Sequence, residues 1–296
     1  MESINGCNWM SFIDGNKSIK EINIPGTHDS GTQYVSTNVK HYRCQSLSIK
    51  EQLEIGVRYL DIRSYIKGKM TIPQIKHAGA LCLKTEENGS ENCLTLSDVI
   101  KIAENFLLQH SSEAVFLQVK NEGGNDRQLV DYLSSYINNN DIHHLFWTND
   151  RIPLLSEIRG KIVLIRRFTY NNNDLGINLS SWDTQCGMRS HLDTYVNVDN
   201  NAYVQDRYDI AGGEKYRLIK RAIEEANDCK KDSYGWWLIN LTSCTIFNPF
   251  DVATAINQRL MEESLIKQGT KLGTFVMDFV NEELVKRIYS TNPEIV

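Results

Sequence analysis

Ile22-Asn23-Ile24-Pro25-Gly26-Thr27-His28-Asp29-Ser30-Gly31-Thr32 sets a histidine and a carboxylate side by side directly after a short β-branched run. An α/β barrel enzyme gathers its catalytic groups at the C-terminal ends of its strands, and this is the residue pattern expected there. Further on, Tyr59-Leu60-Asp61-Ile62-Arg63 and Lys76-His77-Ala78-Gly79 add a second acid, a guanidinium and a second imidazole at the ends of apolar runs. An imidazole pair supplies a base and an acid near neutral pH, and an arginine fork matches two phosphate oxygens. From the residues alone, the constellation reads as phosphodiester chemistry.

Outward from this stretch, β-rich runs near 20–24, 57–63, 71–76, 114–120, 161–167, 202–206, 236–242 and 273–279 alternate with amphipathic stretches. The latter fall near 46–55, 95–110, 126–138, 213–228, 251–267 and 281–289. Thr95 with Ser97-Asp98, and Asn281-Glu282-Glu283, are helix start signals. Repeated βα units without a Pro/Gly/Ser linker predict one α/β domain over residues 1–296, a (β/α)8 TIM-type barrel, somewhat irregular around 170–210.

The two-residue period of a strand gives a second signal. Val57, Tyr59, Asp61 and Arg63 share one face, as do Phe116, Gln118 and Lys120, Val163, Ile165 and Arg167, and Thr274, Val276 and Asp278. Trp236, Leu238, Asn240 and Thr242 are expected to align in the same way. Each face turns polar only at its C-terminal end. Barrel strands are buried on both faces and an unpaired buried charge is costly, so these polar ends are expected to converge on one pocket.

Composition narrows the function classes. The chain has 296 residues, 41% hydrophobic and 23% charged, with a net charge of -5 and mixed signs. This argues against a basic nucleic-acid footprint and against simple attraction to anionic membranes. No apolar run reaches a membrane span, and residues 1–20 lack the apolar core of a signal peptide. The expectation is a cytoplasmic protein if residue 1 is the true start and a secreted one if it is a mature start.

Seven cysteines without a C-x-x-C pair indicate neither a zinc site nor a fully paired disulfide framework, leaving a Cys82–Cys93 hairpin bridge open. His41, His110, His143, His144 and His191 lie in loop-like or helix-end contexts without converging acids. Trp236 and Trp237 read as core, and the sequons at Asn16, Asn88, Asn178 and Asn240 as chance in an asparagine-rich chain. Plain alternatives stand beside the functional readings: Asp61 and Arg63 as a bracing ion pair, Asp278 as partner of a buried cation.

At this level of detail the chain resembles the bacterial-type phosphatidylinositol-specific phospholipases C. The likeness runs through Trp9-Met10, Ile24 to Thr32, Gly56-Val57-Arg58-Tyr59-Leu60-Asp61-Ile62-Arg63, His77, Gly160 to Leu164 with Arg167, Val204-Gln205-Asp206-Arg207-Tyr208 and Met277-Asp278-Phe279. An X-domain-like core is placed at about residues 14–170.

The resemblance implies roles. His28 is then the base that deprotonates the inositol 2-hydroxyl, and His77 the acid that protonates the departing diacylglycerol oxygen. Arg63 neutralises the phosphate, Asp278 orients His28, Asp29 supports His77, and Asp61 positions Arg63. Lys120, Arg167, Asp206 and Tyr208 hold the inositol hydroxyls. No metal or other cofactor is implied, because calcium-dependent relatives carry acids where Arg63 and Lys120 stand here. The expected partner is phosphatidylinositol or a glycosylphosphatidylinositol in a membrane, met peripherally by a monomer, with Tyr34, Tyr42, Phe247 and Phe250 as rim aromatics. Two competing readings are a glycerophosphodiester phosphodiesterase, which needs a carboxylate-bound metal, and a non-catalytic inositol-lipid-binding barrel.

Overall fold

The computed structural model describes residues 3–87, 89–139, 142–182, 194–228, 237–244, 248–262 and 264–295. Trp236, Phe247, Asn88, His191, Cys186 and Cys229 lie outside the described residues. Through the first half the chain forms β1 Ile24–Thr27, β2 Tyr34–Val35, α1 Val39–Tyr42, α2 Ile49–Glu54, β3 Tyr59–Tyr65, β4 Gln74–His77, β5 Ala80–Leu83, α3 Leu96–Gln109, β6 Val115–Asn121 and α4 Asp126–Asn139. It continues with β7 Phe146–Trp147, α5 Leu155–Ile158, β8 Ile162–Arg167, β9 Ile177–Asn178, β10 Val196–Val198, β11 Ala202–Gln205, α6 Gly212–Ala226, β12 Trp237–Leu241, α7 Pro249–Glu262, β13 Thr274–Met277 and α8 Glu282–Tyr289.

Parallel ladders run β11, β12, β13, β1, β3, β6, β8, the arrangement of a TIM-type barrel. Beyond β8 the next position is filled twice. β7 pairs with Ile162 and Val163 at one end of β8, and β9 with Ile165 and Arg166 at the other, so two dipeptides act as one interrupted strand. The hydrogen bond from Gly176 N to Thr148 O (2.6 Å) joins the two pieces.

Among the described residues no ladder links β9 to β11; a polar clasp spans that seam. Asp150 accepts from Asn178 N (2.8 Å), Asn201 Nδ2 (3.1 Å) and Arg166 Nη2 (3.2 Å), while Asn201 Nδ2 also donates to Asn178 O. Irregularity is thus concentrated at 146–201, near the stretch expected from sequence.

Two strands differ from the expectation. Residues 20–24 are not a strand: Ile19–Glu21 form a 3-10 turn capped by Ser18, and β1 begins at Ile24. Residues 71–76 do not supply a barrel strand either. β4 runs antiparallel to β3 and turns back through Ala78-Gly79 into β5, forming a hairpin. Ala78 takes a left-handed φ of 49°, as a two-residue hairpin turn requires. The helix starts at Thr95 and Asn281 are as expected: Thr95 Oγ1 accepts from Asp98 N (3.2 Å), and Asn281 Oδ1 from Leu284 N (2.9 Å).

Inside the barrel, Trp237 packs against Tyr59 and Phe116, with ring centroids 6.3 and 6.2 Å away, and donates from Nε1 to Thr274 Oγ1 (2.8 Å). The inward face of β12 is therefore Trp237, Ile239 and Leu241, one residue out of step with the expected Leu238, Asn240 and Thr242. Asn240 misled because it is buried on the other face, where Nδ2 donates to Leu272 O (2.8 Å). Gly26 is required at the layer above: a Cβ there would stand 2.9 Å from Tyr59 Cβ.

At the opposite end of β3, Arg58 and Glu113 form a fully buried ion pair (2.8 Å), with Arg58 also donating to Gly6 O, Leu53 O and Val57 O. All the donors being matched, this pair braces the end away from the pocket.

Candidate active site

The hydroxyls of Thr27, Ser30 and Thr32 build the turn that follows β1. Ser30 Oγ accepts from Asp61 N (2.9 Å) and donates to Thr27 O, Thr27 Oγ1 donates to Gln52 Oε1 (2.7 Å), and Thr32 Oγ1 donates to Asp29 O (2.6 Å). Gln45 Nε2 donates to both His28 O (2.8 Å) and Met277 O (2.9 Å), tying the ends of β1 and β13 together. The residues directly after His28, His77 and Asp278 all adopt left-handed backbone: Asp29 at φ 43°, Ala78 at 49° and Phe279 at 46°. Each costs of order 1 kcal/mol or more and turns the chain away immediately after a functional side chain.

His28 Nδ1 lies 2.8 Å from Asp278 Oδ1, so the ring donates from Nδ1 and exposes Nε2. That Nε2 is 2.9 Å from Arg63 Nη2 and 3.2 Å from Asp29 Oδ2. A neutral ring accepts from the guanidinium and a charged ring faces the carboxylate as an ion pair, so both protonation states are accommodated. Burial disfavours the charged ring, yet Asp29 and Asp278 outweigh it and push the His28 pKa up to about 9. His77 is fixed in the same manner: Nδ1 donates to Tyr42 O (2.8 Å), leaving Nε2 to face Asp29 Oδ2 at 3.3 Å. The two rings stand edge to face with centroids 6.2 Å apart.

Arg63 Nε contacts Asp29 Oδ1 (2.9 Å), Nη2 lies 3.4 Å from Asp61 Oδ2, and Nη1 is 4.0 Å from Glu122 Oε2. Asp61 is gripped more closely by Gln118 Nε2, and the same amide accepts through Oε1 from Tyr59 OH (2.7 Å). Burial would raise Asp61, but Arg63, His28 and Arg167 hold it below the usual carboxylate range. Asp29 is thus shared among His28, His77 and Arg63, whereas its expected partner was His77 alone.

His28, Arg63, His77, Lys120, Glu122, Arg167, Asp206, Tyr208 and Ser243 line one cleft of about 220 Å³. Lys120 Nζ lies 3.2 Å from Glu122 Oε2. The Arg167 guanidinium carbon is 3.8 Å from the centroid of the Trp182 ring, whose Nε1 donates to Asp206 Oδ2 (2.9 Å). Arg167 Nε and Nη1 are buried without a hydrogen-bond partner among the described residues. Beneath this wall Lys215 donates to Gln205 Oε1 (2.9 Å) and Arg207 O (2.8 Å), positioning the segment that carries Asp206.

All ten residues singled out from sequence either line the cleft or contact a residue that does. Sequence reading missed Glu122, which extends the Gln118, Lys120 face by two more residues, and Gln45, Trp182 and Lys215, which carry no pattern of their own. Cys82 and Cys93 are free, so the hairpin bridge is not formed. Among rim aromatics, Tyr42 packs on His77 (centroids 5.5 Å apart) and Tyr34 is half-buried in β2, while Phe250 is 53% exposed.

A parallel barrel with His28 and Arg63 at its C-terminal strand ends, and His77 brought to them by the β4–β5 hairpin, has the construction of a barrel enzyme. Residues 22–168 match the family model described as phosphatidylinositol-specific phospholipase C, X domain. The chain is 27% identical over 305 residues to a 1-phosphatidylinositol phosphodiesterase of Staphylococcus aureus strain Newman, covering 96% of this chain and 94% of the relative. A Listeria monocytogenes 1-phosphatidylinositol phosphodiesterase is 26% identical over 298 residues, at 96% and 84% coverage.

In fold, a solved S. aureus phosphatidylinositol-specific phospholipase C superposes with a TM-score of 0.77 at 22% identity, over 97% of this chain and 98% of that one. The L. monocytogenes phosphatidylinositol-specific phospholipase C gives 0.75 at 24% identity, over 98% and 99%. The chain belongs to the phosphatidylinositol-specific phospholipase C family.

Proposed function

We propose that this chain cleaves phosphatidylinositol to diacylglycerol and inositol 1,2-cyclic phosphate, acting as a single catalytic unit over its length. The observation that carries the reading is the convergence of His28 Nε2 and His77 Nε2 on one carboxylate oxygen of Asp29 beside Arg63. His28, oriented by Asp278, takes the proton of the inositol 2-hydroxyl, whose oxygen attacks the adjacent phosphorus. His77 returns a proton to the departing glycerol oxygen. Positioned acid and base groups contribute about 10²–10⁴-fold each, and an internal nucleophile gains further from proximity. Arg63 stabilises the charge that grows on phosphorus oxygens, at a place where its guanidinium is already held by Asp29 and Asp61.

Lys120, Glu122, Arg167, Asp206 and Tyr208 supply donors and acceptors suited to a polyhydroxylated ring, foremost the Arg167 Nε and Nη1 groups that have no partner among the described residues. Headgroup chemistry common to free and glycosylated phosphatidylinositol fits this cleft. Lipid reaches it at the rim, where Val39 of α1 (51% exposed) and Phe250 of α7 (53% exposed) are apolar side chains turned to solvent and their helices pack together. No helix among the described residues is long and apolar enough to cross a membrane.

A glycerophosphodiester phosphodiesterase reading needs a carboxylate-held cation, and the Arg63 guanidinium already fills the place among Asp29, Asp61 and Glu122 that such a cation would take. Phosphorus NMR of products in the presence of EDTA tests the proposal. The expected result is a cyclic inositol phosphate signal from the wild type, lost in His28→Leu. Equal rates for the two proteins, or activity that EDTA abolishes and calcium restores, would overturn it.

A further inference from the structure

Cys44, on the segment between α1 and α2, is 1% exposed and stands beside the two histidines. Its backbone is pinned: N donates to Thr32 Oγ1 (3.0 Å), and O accepts from Phe279 N (2.8 Å). Its Sγ is 3.9 Å from His77 Nδ1. The sulfur, a ring nitrogen of His28 and a carboxylate oxygen of Asp29 lie within 4.8 Å of one another. A second observation is independent of the thiol. Asp29 Oδ2 is buried with no hydrogen-bond partner among the described residues, although two imidazole nitrogens approach it.

Thiolate, imidazole and carboxylate are the ligand types of zinc, which takes four ligands at about 2.0–2.3 Å. Hard cations such as calcium and magnesium call for six or more oxygens, which this set lacks. We propose that His28, Asp29 and Cys44 form an inhibitory site for a thiophilic divalent cation, zinc or cadmium, inside the catalytic centre. Coordination replaces the thiol proton and the Nε2 proton of the charged His28 ring, both of which leave to solvent, and the metal takes the nitrogen lone pair so freed. Arg63 then loses its 2.9 Å contact with Nε2 and keeps Asp29 and Asp61. A ligand distance of about 2 Å requires the three groups to draw together, which rotation of the Cys44 side chain on its pinned backbone supplies.

The loss of activity rests on the proposed role of His28, whereas metal binding does not. The full chain is therefore stripped with EDTA, desalted, and titrated with cobalt(II), followed by its thiolate charge-transfer absorption, and separately with zinc against cleavage of a soluble inositol phosphate ester. The expected result is a charge-transfer band and zinc inhibition reversed by EDTA. In Cys44→Ala the band disappears, basal activity stays within a few fold, and the inhibition midpoint rises roughly tenfold or more. Cys44→Ser, closer in size to the native residue, behaves likewise. An unchanged midpoint in both variants, or no band in the wild type, overturns the site. A band from a chain inactive on every inositol ester would retain the metal site and sink the proposed function.

Discussion

Replacing Asp278 by Asn isolates the charge behind His28. The carboxylate is 3% exposed and accepts from His28 Nδ1 at 2.8 Å, a geometry the amide oxygen can copy without its charge. A hydrogen bond to a charged group contributes about 1.5–3 kcal/mol, against about 1 for a neutral one, so roughly 1–2 kcal/mol is lost as the imidazolium forms. At about 1.4 kcal/mol per tenfold this is a fall of roughly 5- to 30-fold in kcat/KM, larger if the amide turns its NH2 toward the ring and reverses the tautomer. The assay uses a soluble inositol phosphate ester, which removes the lipid interface from the measurement. In parallel, proton NMR follows the His28 ring, assigned by its absence in His28→Leu. Its midpoint, about 9 in the wild type, moves down when Asp278 no longer contributes. An unchanged kcat/KM together with an unmoved His28 titration would refute the orienting role.

The remaining predictions use other parts of the molecule. Because the folded pKa of His28 is raised from 6.5 to about 9, its contribution to stability is complete below pH 6.5 and disappears as pH rises through 9. It amounts to about 3 kcal/mol, and urea denaturation of wild type against His28→Leu across that window measures it. The pH profile of kcat/KM is bell-shaped, one imidazole reacting neutral and the other charged, and the limb near pH 9 belongs to His28; a rate that only rises with pH contradicts this. Glu113→Ala leaves the Arg58 charge buried without a partner and costs about 3–5 kcal/mol of stability, read as a lowered Tm, with kcat/KM preserved at low temperature. Phe250→Ser removes roughly 1 kcal/mol of apolar contact with lipid, so vesicle binding falls about fivefold while the soluble ester is cleaved as before.

What was legible in the sequence follows from where information is local. His28, Arg63, Lys120, Arg167 and Asp278 end apolar runs, and a polar group after a buried strand is a strong sign whatever the tertiary context. The two dipeptides Phe146–Trp147 and Ile177–Asn178 are too short to carry a period, so the interrupted strand was invisible and residues 71–76 took its place. The face of β12 was misassigned because Asn240 satisfies its amide on the backbone of Leu272, a partner that no residue pattern announces. Asp29 was readable as a catalytic carboxylate supporting His77, but its sharing among His28, His77 and Arg63 depends on its left-handed backbone and on a hairpin that carries His77 across the mouth.

The register that pairs Thr27 with Met277 puts the first and last barrel strands side by side, and it is this ladder that brings Asp278 to His28 across 250 residues. Activity is consequently a property of the finished chain. A polypeptide interrupted anywhere between His77 and Asp278 carries both histidines and the arginine yet has no group to fix the tautomer of its base. The closing contact is also among the least local in the fold, of the kind that forms late because the loop entropy must be overcome first. Catalysis therefore serves as a built-in readout of completion: in refolding, recovery of turnover marks the joining of the two ends of the barrel and trails the return of helical signal.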